Sequence, residues 1–113
     1  MLLKAGEKVH IIERRHFNED LRRHFVGEII VSTGSAIRAR GYVWVFDTSQ
    51  GLFVKKPEPR ERWIVLTDRT TINILPTDVD LDEINYANDP GKGLIVTDGK
   101  GFSLEVTEFS AKR

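Results

Sequence analysis

The residues best suited to ligand chemistry form a short repeat in the first quarter of the chain. The tetrapeptide Arg-Arg-His-Phe occupies residues 14–17 and recurs at residues 22–25. The planar guanidinium of arginine matches phosphate and carboxylate oxygens, and aromatic rings stack on nucleobases. The repeat therefore predicts a patch that binds phosphate or nucleic acid. Two other interpretations remain open: the nearby acids Glu13, Glu19 and Asp20 neutralise the arginines while the phenylalanines anchor flanking strands, or the repeat contacts a second copy.

All three histidines, His10, His16 and His24, lie in this same region. Imidazole nitrogen is a common zinc ligand, but the spacings of six and eight residues match no zinc motif. Cysteine is absent, which excludes a thiol nucleophile and any thiolate-bound metal. The sequence also contains no nucleophile elbow, phosphate-binding loop or dinucleotide fingerprint. We therefore predict no metal, no cofactor and no catalytic residue, and we expect that the protein is not an enzyme.

A second basic and aromatic group lies in the segment 37–46. Side chains alternate along a strand. One face of this strand would therefore carry Arg38, Arg40, Tyr42, Trp44 and Phe46. Arginines followed by an aromatic stripe predict a stacking surface for single-stranded nucleic acid. Gly41 allows an alternative, because a β-bulge there would shift the register, leaving the arginines in solvent while the aromatic residues enter the core.

Lys55 and Lys56 add positive charge at the end of the next predicted strand. If that strand forms a hairpin with segment 37–46, Arg40 lies across from residues 55–57. We expect these charges to converge in space with those of the repeat. The predicted binding residues are Arg14, Arg15, His16, Arg22, Arg23, His24, Arg38, Arg40, Lys55 and Lys56.

The net charge of the 113 residues is zero, but the charges are unevenly distributed. Residues 1–62 contain 12 basic and 8 acidic residues, whereas residues 63–113 contain 5 basic and 9 acidic residues. A pI near 6.8 argues against a protein whose entire surface binds nucleic acid, but it is compatible with a local basic patch. Halves of opposite charge also favour pairing between copies of the chain. The predicted partners are therefore nucleic acid or another polyanion, and the chain itself as a homo-oligomer.

Short β-branched and aromatic segments separated by turn residues predict an all-β fold. The predicted strands are residues 8–13, 25–31, 37–46, 52–55, 63–67, 71–75, 94–97 and 102–109. Residues 32–35 and 98–101 predict hairpin turns, whereas residues 56–59, with two prolines, predict a loop. We expect a small antiparallel β-barrel or sandwich of seven to eight strands, and a compact barrel of the OB or SH3/Sm-like kind is the leading expectation.

Two segments have helical features. Residues 80–87 begin with Asp80 as an N-cap candidate, and Glu83 follows at capping-box spacing, which predicts one short helix. In residues 18–23, Asn18 occupies a cap position before two acids and two arginines. A helix and an irregular turn are both compatible with this second segment.

The length suits one domain, residues 1–113, because two separate cores would each be too small to be stable. No apolar segment approaches the roughly 20 residues that a membrane span needs. The first residues lack the apolar region of a signal peptide, and the absence of cysteine fits a reducing compartment. From these features we expect a cytoplasmic protein without a membrane partner.

These observations predict a non-catalytic module that binds a polyanion, nucleic acid in particular, through its basic amino-terminal half. Such binding would weaken steeply with salt, because counterions released from the polyanion drive it. The alternative is a protein-interaction or homo-oligomerising module.

Overall fold

The structure, a computed structural model, describes residues 3–13 and 22–106, which form nine β-strands and one turn of 3-10 helix. The strands are β1 (Lys8–Glu13), β2 (Arg23–Ser32), β3 (Ala36–Asp47), β4 (Leu52–Lys55), β5 (Arg60–Val65), β6 (Thr70–Ile74), β7 (Asn85–Asp89), β8 (Gly93–Thr97) and β9 (Ser103–Glu105). The 3-10 turn, Leu81–Glu83, lies between β6 and β7. In this part of the chain no helix is long and apolar enough to cross a membrane.

The strands form two antiparallel sheets. In the first sheet the order is β4-β3-β2-β1-β6, and β5 also pairs with β3; the second sheet has the order β7-β8-β9. The prediction of an all-β antiparallel fold is confirmed. The predicted barrel is wrong, because the strands of the described residues do not close into a single ring. The second sheet is a separate layer that packs on one face of the first.

Each face of the first sheet has its own hydrophobic core. Between the two sheets, Val26, Trp44 and Phe53 of the first pack with Tyr86 and Val96 of the second. The opposite face carries a second cluster, to which β1, β2, β3 and β5 contribute. Leu3 and Leu66, which lie just outside β1 and β5, also pack against this cluster. Each fully buried aliphatic or aromatic side chain stabilises the fold by about 1.5–3 kcal/mol, so these clusters hold both layers in place.

The long strand β3 changes partners along one edge. Residues 36–41 pair with β5, and residues 44–47 pair with β4. At the end of the first part, Gly41 lies directly opposite Gly27 of β2. A Cβ atom at Gly41 would lie 2.0 Å from the carbonyl oxygen of Val26, so only glycine allows this close approach of the two backbones.

The β-bulge alternative at Gly41 is wrong. The pairing of β2 with β3 is continuous through Gly41 and shifts instead between Ile29 and Val31 of β2. Strict alternation therefore holds along β3. Because the second sheet covers only part of β3, residues on one face meet different environments: Arg40 is exposed, whereas Trp44 is buried.

The predicted helix at residues 80–87 is wrong beyond its first turn. Asp80 does cap that turn, since its carboxylate accepts a hydrogen bond from the backbone N–H of Asp82 at 3.0 Å. Ile84 then adopts an extended conformation, and Tyr86 lies within β7. A two-turn helix is only marginally stable by itself. Pairing with β8 and burial of Tyr86 between the sheets stabilise the strand instead.

The predicted turns are confirmed. Residues 32–35 connect β2 to β3, and the backbone N–H of Thr33 donates to the carbonyl oxygen of Ala36 at 2.8 Å. Residues 98–101 connect β8 to β9, and residues 56–59 separate β4 from β5. The end of the last predicted strand, residues 107–109, and most of segment 18–23 lie outside the described residues.

Candidate functional site

The two copies of the Arg-Arg-His-Phe repeat do not form one described surface. Arg14, Arg15 and His16, in the first copy, lie outside the described residues. In the second copy Arg23 is exposed, whereas His24 is 2% exposed and lies between the two sheets. Consecutive residues of a strand point to opposite faces, so the second copy divides between the surface and the interior.

Arg22 packs against the aromatic residues at the edge of the core. Its guanidinium carbon lies 4.5 Å from the ring centroid of Phe46 and 5.5 Å from that of Phe53. A cation held over aromatic faces contributes about 0.5–2 kcal/mol, depending on how far it is desolvated. The position of Arg22 is thus explained by packing.

A buried hydrogen-bond network joins the two sheets. His10 of β1 and His24 of β2 are 0% and 2% exposed, and Tyr86 of β7 lies against both. The Tyr86 hydroxyl oxygen is 2.7 Å from His24 Nδ1 and 3.0 Å from His10 Nε2. The two imidazoles are also in contact, at 3.1 Å between His10 Nε2 and His24 Nδ1. Asn73 of β6 completes the network through its amide nitrogen, 3.1 Å from His10 Nδ1.

One assignment of protons satisfies this network with neutral rings. Asn73 donates to Nδ1 of His10, whose proton then sits on Nε2 and is donated to the Tyr86 hydroxyl oxygen. The Tyr86 hydroxyl in turn donates to Nδ1 of His24. Burial, and then the neighbouring His24, lower the pKa of His10 to about 3. Burial raises the pKa of Tyr86, so both groups are uncharged at neutral pH.

The exposed part of β3 carries two arginines that share one carboxylate. Arg38 and Arg40 both pair with Glu61 of β5, and Nη2 of Arg40 lies 3.3 Å from Glu61 Oε1. Hydrogen bonds from Arg40 and then Arg38 lower the pKa of Glu61. The Arg40 side chain is still 68% exposed. The two guanidiniums are therefore held side by side and remain accessible.

An exposed tryptophan lies next to these arginines. Trp63 of β5 is directly opposite Arg38 and is 57% exposed, with the Arg38 guanidinium carbon 6.0 Å from its ring centroid. Val65 and Val31 are also exposed on this side. We call this surface the open face, and it consists of Glu28, Val31, Arg38, Arg40, Glu61, Trp63 and Val65. The open face lies on the same side of the first sheet as the second sheet does, next to the area that the second sheet covers.

Tyr42 and Lys55 lie at the border between the open face and the covered part. Tyr42 is half-buried, and the Lys55 ammonium group lies 3.9 Å from its ring centroid. The expected register was wrong, because Lys55 lies opposite Trp44 while Arg40 lies opposite Glu61. The cause is that β4 is only four residues long, so β5 returns to pair with the first half of β3.

The structure therefore brings together part of the predicted set. Arg38, Arg40 and Lys55 share one side of the sheet, and Lys56 is exposed in the adjoining loop. Arg23 lies directly opposite Val45 of β3. Because side chains alternate along a strand, Val45 and Arg23 point to the face of the sheet opposite to the one that carries Arg38 and Arg40. Trp63 was missed by the sequence analysis. Alternation could not identify it, because Trp63 and Val65 on one face of the strand are as apolar as Ile64 and Leu66 on the other; only the burial of Ile64 shows which face is exposed.

A cleft of about 250 Å³ borders the open face. Tyr42 and Val26 line the cleft together with three charged residues, Glu28, Arg40 and Asp82. The 3-10 turn forms one side of the cleft, and Pro59 of the loop between β4 and β5 also lines it. Both aromatic and hydrogen-bonding surface is therefore available beside Arg40.

Comparison with known proteins adds no relative: no protein-family model, curated protein or solved structure matches the chain. Within residues 3–13 and 22–106, no group of three or more His, Cys, Asp or Glu residues is arranged to hold a metal ion. The interpretation of the site accordingly depends on its own geometry.

Proposed function

We propose that the protein is a non-catalytic module that binds single-stranded nucleic acid on its open face. The observation that carries this proposal is the exposed Trp63 ring beside Arg38, on the same side of the sheet as Arg40. Single strands bind where bases stack on aromatic side chains while basic groups follow the backbone. An exposed indole next to two positioned guanidiniums supplies both kinds of contact.

The charge of the surrounding segment supports a polyanionic ligand. Residues 38–63 contain six basic and three acidic residues, although the whole chain is neutral. On the open face itself Glu28 and Glu61 balance Arg38 and Arg40, so the excess positive charge comes from Lys55 and Lys56 at its border. Two of the six basic residues, Arg60 and Arg62, alternate with Glu61 and Trp63 along β5 and therefore point to the other face of the sheet. The excess positive charge is therefore local, which is compatible with a pI near 6.8.

Binding is tested by fluorescence anisotropy with labelled single-stranded RNA and DNA of about ten nucleotides. The double variant Arg38→Ala/Arg40→Ala should weaken binding at least about tenfold at low salt and reduce the salt slope by about two. The matched control is Lys92→Ala/Lys100→Ala, which removes two exposed lysines from the turns of the second sheet. This control should leave the affinity within about twofold of the wild type. No binding of either polymer at low salt, or equal losses in the two double variants, would exclude the proposal.

Trp63→Ala tests the stacking contact separately from charge. Loss of one stacked base costs about 1–3 kcal/mol of binding free energy. Because Trp63 is exposed, its removal should leave the melting temperature unchanged. Binding should also quench the emission of Trp63 while buried Trp44 continues to emit.

The second candidate function is self-association through the same open face. Trp63, Val65 and Val31 are 57%, 62% and 41% exposed, which is an apolar surface that a second copy would bury. Light scattering as a function of concentration distinguishes the two functions. A dimer that Trp63→Asp abolishes, in a protein that binds no oligonucleotide, would favour self-association.

A further inference from the structure

The cleft beside the open face has the dimensions and polar groups of a site for one base. Its volume of about 250 Å³ exceeds that of a nucleobase, and Tyr42 provides an aromatic surface within it. The Lys55 ammonium group lies over the Tyr42 ring and places positive charge beside the cleft. Arg40 belongs to both the cleft and the open face, so the two surfaces are continuous.

The cleft and Trp63 are too far apart to hold neighbouring bases of one stack. Trp63 lies level with Arg38, and Tyr42 is four residues further along β3. At about 3.3 Å per residue this separation is about 13 Å. Adjacent bases in a stack are about 3.4 Å apart. A strand that occupies both positions would therefore place two different, separated nucleotides there.

The polar groups of the cleft match one base better than the others. Glu28 and Asp82 are carboxylates, which only accept hydrogen bonds, whereas Arg40 only donates. Guanine has N–H donors at N1 and N2 and acceptors at O6 and N7, and arginine binds O6 and N7 readily. Uracil has two carbonyl acceptors around a single N–H, so carboxylates oppose it. Adenine and cytosine each have one amino group and no ring N–H once they are joined to the sugar, so they offer fewer donors to two carboxylates than guanine does. Glu61 contacts Nη2 of Arg40, but a guanidinium carries five N–H donors and this side chain is 68% exposed.

We propose that this cleft binds a guanine base of the single strand, with the carboxylates of Glu28 and Asp82 accepting from the base and Arg40 donating to it. This inference rests on the proposed function, because it assigns a base preference to the same nucleic-acid surface. The base in the cleft gives selectivity, whereas Trp63 stacks on any base.

The test compares uridine tracts that contain one central guanosine, adenosine or cytidine with a tract of uridine alone. Wild-type protein should bind the guanosine tract about tenfold more tightly than the uridine tract. Glu28→Gln and Asp82→Asn should each reduce the ratio of guanosine-tract to uridine-tract affinity. Because each variant removes a negative charge next to the strand, the uridine tract itself should bind slightly more tightly. Both carboxylates are exposed, so these variants should fold normally. Asp78→Asn, an exposed residue that does not line the cleft, is the matched control and should retain the full preference.

The outcomes separate this inference from the proposed function. Equal binding of all four tracts would overturn the guanine assignment and leave nucleic-acid binding intact. A guanosine preference that persists unchanged in both amide variants would also overturn the assignment. Failure to bind any tract would overturn the proposed function, and the base preference with it.

Discussion

Glu61 is one of two carboxylates, with Glu28, that limit the positive charge of the open face. It pairs with Arg38 and Arg40 across the β3–β5 ladder, and hydrogen bonds from both arginines lower its pKa. The carboxylate is therefore ionised at neutral pH. An exposed ion pair of this kind adds little to stability, because solvent screens it. Its main consequences are that it orients the guanidiniums and cancels one of their two charges.

Glu61→Gln should therefore strengthen the binding of single-stranded nucleic acid. The amide removes a negative charge next to the phosphate backbone while it retains an oxygen that accepts from Arg40. We expect an increase of about two- to fivefold at low salt, which disappears as salt is raised. The measurement is an anisotropy titration at several salt concentrations. Glu105→Gln, an exposed residue of β9, is the control and should change nothing. Unchanged or weaker binding of Glu61→Gln would mean that the arginines do not meet the polyanion.

At the scale of the elements, local sequence patterns predict a strand well where pairing with a distant strand does not override the local preference. The bounds of β1 and β4 match the predicted 8–13 and 52–55, since apolar alternation and flanking turns are local signals. Residues 80–87 show the limit of this approach. Their capping pattern is real, but Tyr86 enters a strand because pairing with β8 and burial against the first sheet are non-local.

The candidate site was only partly predictable for the same reason. Alternation correctly placed Arg38 and Arg40 on one face of β3. Their partner Glu61 and their neighbour Trp63 come from β5, whose register with β3 no local pattern specifies. The contact of His10 with His24 likewise depends on the register between β1 and β2.

The close approach of the paired strands β2 and β3 leads to a prediction about Gly41. A Cβ atom there would lie 2.0 Å from the carbonyl oxygen of Val26 and 2.5 Å from the Cα atom of Gly27. Both are backbone atoms of the central strands, so they cannot move without disturbing both hydrophobic cores. Gly41→Ala should therefore lower the free energy of unfolding by about 3 kcal/mol or more. Urea denaturation followed by circular dichroism measures this change.

The control for Gly41→Ala is Gly34→Ala. Nothing lies within 4 Å of a Cβ atom at Gly34, in the turn between β2 and β3. This substitution should change the free energy of unfolding by no more than about 0.5 kcal/mol. Similar stabilities of the two variants would contradict the close approach at Gly41.

At the scale of the whole molecule, the buried polar network of His10, His24, Tyr86 and Asn73 links the packing of the two sheets to the protonation of buried groups. The imidazoles come from the first sheet and the phenol from the second, within an otherwise apolar core. Aromatic packing supports the same junction, since His24 and Tyr86 both stack on Phe53, at 4.2 and 4.7 Å between ring centroids. Protonation inside this junction places a charge where neither sheet can solvate it. Attachment of the second sheet should therefore depend on pH.

The stability of the protein should accordingly fall as the pH is lowered from about 7 to about 5. The pKa of His10 is about 3 in the folded protein and 6.5 in the unfolded chain. Below pH 6.5 the unfolded chain binds a proton that the folded protein does not, so the contribution of neutral His10 is complete above that pH and is lost progressively towards pH 3. The expected loss from His10 alone approaches about 1.4 kcal/mol per pH unit. Urea denaturation at a series of pH values measures it, and this range lies above the titration of the carboxylates Asp47, Glu61 and Asp98, whose pKa values are lowered.

Two measurements assign this pH dependence to the network. In His10→Gln the slope of the free energy of unfolding against pH should become shallower between about pH 6 and pH 5, because the titrating imidazole is gone. If that variant does not fold, the NMR signal of the His10 ring in the wild-type protein gives the same information, since it should not shift between about pH 7 and pH 5. Glutamine also replaces the imidazole that is hydrogen-bonded to Tyr86, so a lower stability of His10→Gln at neutral pH is expected as well. An unchanged slope in the variant, or titration of the His10 ring with an ordinary pKa, would show that the junction between the sheets admits water and that His10 is not held neutral by burial.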